Sequence, residues 1–123
     1  MSSSDDTKNA ITEMLDSIGA IHGFKANLAA SLAIDVVNDG LQHALLRATF
    51  MMSSDEGISM GEINLLVKSM LEKTRTMAVA CLSIGLEGMP TNTKVEITKI
   101  VTNASKKLEA DVIKVYGFTK EGD

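Results

Sequence analysis

The residues best suited to chemistry in this 123-residue chain are Asp35, Asp39 and His43, which stand at successive four-residue steps with Gln42 beside them. On a helix that spacing lines two carboxylates and an imidazole along one side, the arrangement of a cation site or a proton relay. The wider pattern argues against both. Di-metal sites in helical bundles draw further Glu residues and Glu-x-x-His pairs from facing helices, and the chain has no Glu-x-x-His. The expectation is therefore a structural seam, formed by Asp35, Asp39, Gln42 and His43, in which Asp39 pairs with His43. As single polar core residues do in coiled coils, such a seam would fix the register of an assembly.

Other reactive side chains lack companions. Cys81 falls among apolar residues at helical spacing, with no neighbouring base to generate a thiolate, and reads as packing. His22 lies beside Gly23 without ligand spacing and reads as a surface or cap residue. There is no glycine-rich phosphate loop and no nucleophile elbow. Asn103-Ala104-Ser105 matches a glycosylation sequon but sits within a helical pattern. The reading is a noncatalytic protein with no cofactor and no bound metal.

Helices must position these residues. A single proline, runs rich in Ala, Leu, Lys and Glu, and no alternating β-branched segments predict an all-α fold. A first helix opens at Ser4 or Asp5, carries Ile11, Met14, Leu15, Ile18 and Ile21 as a narrow apolar stripe, and ends at Gly19 or Gly23. The second runs from about Lys25 to Met52 and is apolar nearly all round apart from the polar seam. Asn38-Asp39-Gly40 invites a turn there, but the apolar ladder continues through it and predicts one helix. Ser59 and Glu62 form a capping box for a third helix with a wide face of Ile63, Leu66, Val67, Met70, Leu71, Met77, Ala78, Cys81 and Ile84, ending near Leu86. Thr93 and Glu96 predict a second box opening the fourth helix, with Ile97, Ile100, Val101, Ala104, Leu108, Val112 and Val115 inward and Gly117 as its cap. Short connections between long helices predict an up-and-down antiparallel bundle in one domain, residues 1–123, with frayed ends at 1–4 and 118–123.

Composition narrows the partners. The net charge is −4; residues 1–62 carry three basic and nine acidic side chains, whereas residues 63–123 carry nine and seven. Neither half has the basic footprint of a nucleic-acid binder, and four aromatic rings make no stacking platform. The apolar stretch from Leu28 to Leu46 is broken by Asp35, Asn38, Asp39, Gln42 and His43, which argues against a membrane span. One cysteine and a start, Met-Ser-Ser-Ser-Asp-Asp, that is neither a positively charged signal-peptide region nor an apolar anchor point to the cytoplasm.

A second helix with so little polar surface needs cover, so a homo-oligomer is expected. The face expected to meet another protein comprises Leu41, Leu45, Met51, Met52 and Met60, because flexible thioethers suit adaptable grooves. The leading function is thus an interaction module: adaptor, accessory subunit, chaperone-like binder or inhibitor. The alternative is a small anionic ligand or nucleotide held in a pocket between subunits.

Overall fold

The computed structural model describes the backbone of residues 3–53 and 57–116 and the side chains of 6–53 and 57–113. It is all-α, with four helices packed against each other: α1 Ser3–His22, α2 Phe24–Met52, α3 Met60–Gly85 and α4 Thr91–Tyr116. α1 opens one or two residues earlier than expected, and α2 passes unbroken through Asn38-Asp39-Gly40. Gly117 and the chain ends beyond Ser3 lie outside the described residues.

Gly23 alone separates α1 from α2. Its φ of 97° is open to glycine and strained for a side chain, and it turns the chain back on itself. The Asn27 side-chain amide then donates to the Leu15 carbonyl at 2.8 Å, a contact that residues 12 apart on one continuous helix, roughly 18 Å along the axis, never make. At the next boundary Ser59 caps α3 by accepting from the Glu62 amide at 3.1 Å. The return half of the expected box is different: the Ser59 hydroxyl donates to the Glu62 carboxylate at 3.1 Å. The predicted box at Thr93 and Glu96 does not open α4, which starts at Thr91 directly after Pro90, with the Lys94 amide donating to the Pro90 carbonyl at 3.0 Å. A proline fits here because its missing N–H removes no helical bond at a helix start.

The tightest packing joins α2 to α3, and small residues cause it. The α2 core face carries six alanines, Ala26, Ala29, Ala30, Ala33, Ala44 and Ala48, with Ile34, Val37 and Leu41 among them, all buried. A β-carbon placed on Gly40 would stand 2.2 Å from the Thr74 hydroxyl and 2.8 Å from Thr74 Cβ; one on Gly85 would stand 2.6 Å from Ala29 Cβ. Pairing Gly40 with Thr74 and Ala29 with Gly85 shows that the helices run antiparallel, and Lys25 Nζ closes the end by donating to the Glu87 carbonyl at 2.7 Å. Backbones this close gain dispersion contacts over their whole length. Large side chains complete the core at both ends: Ile63 near the α2–α3 tip, Leu82, Leu86 and Ile97 toward the base, all almost fully buried.

α4 lies along one flank of this hairpin, where Ala78 and Leu82 meet Val101 and Ser105. α1 sits against α4 and α2, because Thr7 bonds Asp111 and His22 Nε2 stands 3.4 Å from Glu96. His22 is thus half-buried and engaged, not a free surface residue. Two expectations about faces are corrected. Leu41 is buried in the chain's own core at 3% exposure, and Leu45 is half-buried against it, so neither belongs to an open face. On α3 the wide apolar face divides: Ile63, Val67, Leu71 and Ala78 enter the core with Thr74 and Leu82, while Met77 and Ile84 stand exposed.

Gly40→Ala tests the seam. At an exposed helical site this change adds about 1 kcal/mol, but here the methyl overlaps Thr74, and overpacking costs about 1–3 kcal/mol. The expected result is a lower urea midpoint, partly recovered by adding Thr74→Gly. Gly61→Ala, whose new methyl meets only the Ser59 hydroxyl at 3.7 Å, should instead leave stability unchanged or raise it.

Candidate functional site

The polar seam forms, but on the outside. With the α2 core arc turned toward its neighbours, Asp35, Asp39, Gln42 and His43 all fall on the opposite, exposed arc. Among the described residues no hydrogen bond or ion pair joins Asp39 to His43, so the expected internal pairing is absent within one chain. No group of three potential metal ligands converges among the described residues.

The same arc carries large apolar side chains on either side of the seam: Phe24, Leu28 and Leu32 toward one end, Leu46 and Phe50 toward the other. Leu46 is 71% and Phe50 75% exposed, far beyond what isolated surface leucines need explaining. Near the tip His43, Leu46, Arg47, Phe50 and Met51 of α2 and Leu66 of α3 line a shallow recess of about 470 Å3. Its walls are apolar, with the imidazole and guanidinium as its polar groups. This recess lies on the flank of the hairpin away from α4, the flank that also bears Met77 and Ile84. Met51 is half-buried against the core while Met52 and Met60 are about half exposed, so three of the five residues expected on an interaction face border the open tip. Leu46 and Phe50 are the recess residues missing from the expected interaction face, and Met77 stands exposed although it falls on the apolar face expected for α3. For Leu46 and Phe50 the available signal was their spacing, three and seven residues beyond His43 on the same side of the helix.

A second polar site is internal. Glu109 of α4 is buried against Arg75 of α3, with Nε and Oε2 3.1 Å apart, but the N–H is not aimed at the oxygen and neither atom is hydrogen-bonded. Burial pushes the Glu109 carboxyl above its ordinary value of 4.5, and the charges of Arg75 and Lys106 offset part of that rise. A cavity of about 30 Å3 adjoins Arg75, lined by Ala78, Val79, Leu82, Val101, Thr102 and Ser105. The Ser105 hydroxyl donates to the Val101 carbonyl at 2.9 Å, so it is satisfied within α4, and Ser105 of the sequon is buried. The cavity has room for about one water and no organic ligand. The ion pair is a structural clasp between α3 and α4.

Among the described residues no helix is long and apolar enough to cross a membrane. No protein-family model, no curated protein and no solved structure matches the chain.

The Glu109 clasp makes stability depend on pH in a defined direction. A carboxyl whose folded-state pKa is raised contributes most below its unfolded value and loses that contribution as pH rises through the folded value. Glu109→Gln removes this term, so its urea midpoint relative to wild type should improve from about pH 4.5 to 7. A constant difference across that range would show that burial does not dominate at Glu109.

Proposed function

We propose that this chain is a noncatalytic helical interaction protein that receives a partner on the exposed flank of the α2–α3 hairpin. One observation carries the reading: Leu46 and Phe50, two large apolar side chains each more than 70% exposed, wall a recess beside Arg47 and His43. Aromatic and arginine side chains set in an apolar surround are the residue types that dominate protein–protein binding energy. Exposing them costs hydration free energy, roughly 1.5–3 kcal/mol for each large apolar side chain that a partner would bury. The fold supports such a role because the recess stands on two helices held rigidly by the small-residue seam, and rigid placement reduces the ordering cost of binding.

The cationic rim supports a second reading. His43 and Arg47 at the mouth of an apolar recess suit a small amphipathic anion, its chain in the recess and its charge at the rim.

Phe50→Glu places a charge in the recess and, at an exposed site, leaves the fold intact. Its helix content and melting temperature should match wild type, while binding of a partner protein captured by wild type falls at least about tenfold, the loss typical of a hot spot. Leu65→Glu, an exposed apolar position outside the recess, serves as the control. Equal capture by both variants would remove this flank as the docking site. A melting-temperature rise with small amphipathic anions, lost in Arg47→Ala, would favour the second reading.

A further inference from the structure

The exposed arc of α2 is patterned for another copy of itself. Leu32, Val36, Asp39, His43, Leu46 and Phe50 alternate steps of four and three residues across about 27 Å of helix. That is the spacing by which one helix offers knobs to a partner helix, and none of the six is buried within the chain. Four are apolar and the two polar ones sit at the centre, acidic on one side and basic on the other.

We infer that two copies of this chain pair through antiparallel α2 helices across a two-fold axis passing over the point opposite Leu41. This rests on the docking reading above and names the first occupant of that face. The axis brings each residue a given number of places before 41 level with the one equally far after 41. Asp39 then meets the partner's His43 twice over, Val36 meets the partner's Leu46, and Leu32 meets the partner's Phe50. Asp35 and the partner's Arg47 come to the same level, so the acidic half of each arc lies along the basic half of the other. The apolar recess is covered by the partner's leucine and valine.

Charge selects this arrangement over its rivals. A parallel pairing would set Asp39 on the partner's Asp39 and His43 on the partner's His43. A slip of one heptad in the antiparallel pair would place Asp39 against the partner's Phe50 or Val36 and His43 against the partner's Leu46 or Leu32, leaving a carboxylate without a counterpart, which costs far more than a missing apolar contact. The central Asp–His pair therefore specifies register, the task that buried polar residues perform in coiled coils. Apolar contact from four knobs per chain is modest, so the dimer is weak, in the roughly micromolar range, and dissociates on dilution.

Light scattering and sedimentation of the full chain over a dilution series give the test. Wild type should shift from one-chain to two-chain mass with rising concentration. Asp39→Lys and His43→Glu alone should each weaken association by tenfold or more, by setting lysine against histidine or glutamate against aspartate. An equal mixture of the two single variants should recover a heterodimer, and the double variant D39K/H43E should recover a homodimer. Circular dichroism should show all variants as helical as wild type, since both positions are exposed. Wild type that keeps one-chain mass at every concentration, single variants that associate as wild type does, or a mixture that fails to recover would each overturn the inference. If only self-association fails, Phe50→Glu still discriminates a partner protein. If only the docking reading fails, charge exchange restores the dimer while Phe50→Glu and Leu65→Glu capture equally.

Discussion

The fold depends on how closely the backbones of α2 and α3 approach. Where Gly40 faces Thr74 and Gly85 faces Ala29 there is no space for another methyl group, so the seam is set by steric exclusion as much as by attraction. The six buried alanines of α2 let the two helices stay close along their length, with dispersion between many light atoms adding to the contacts of Ile34, Val37 and Leu41. Everything else is arranged around this pair: α4 clasps α3 through Glu109 and Arg75, and α1 bridges α2 and α4 through Asn27 and Thr7.

That economy explains which parts were legible in the sequence. Local chemistry marks the start of α3, which Ser59 caps, whereas the box pattern at Thr93 and Glu96 misplaces the start of α4, which opens directly after Pro90. The continuity of α2 through Gly40 followed from the apolar ladder. The direction of its faces did not. Large side chains make α2 apolar nearly all round, so they do not tell Leu46 and Phe50, which are exposed, from Leu41, which is buried; the buried arc is marked by Ala26, Ala30 and Ala33. Alanine and glycine are nearly silent in hydropathy, and their role emerges only where another backbone lies against them. Leu41 was placed outward for the same reason: with so many leucines on one helix, burial depends on which arc the small residues claim.

The spacing of the polar residues along α2 places them on one side of the helix, and there the structure has them. Spacing does not give their environment: the expected Asp39–His43 pairing requires the side chains to face a neighbour, and within one chain they face outward. An interior built on alanine also leaves no room for chemistry inside the α2–α3 pair. The recess by Phe50 and the cavity of about 30 Å3 beside Arg75 both lie at the edges of helices, and only the first is large enough to admit a side chain.

The single-residue link at Gly23 turns α1 into a ruler. With no slack in the connection, α1 cannot slide along α2 to a neighbouring register; its reach is its own length, about 30 Å for 20 residues against about 44 Å for the 29 residues of α2. The described length of α1 therefore stops short of the far end of α2, whose last turns are packed by α3 without it. One glycine thus fixes the register in which α1 lies against α2.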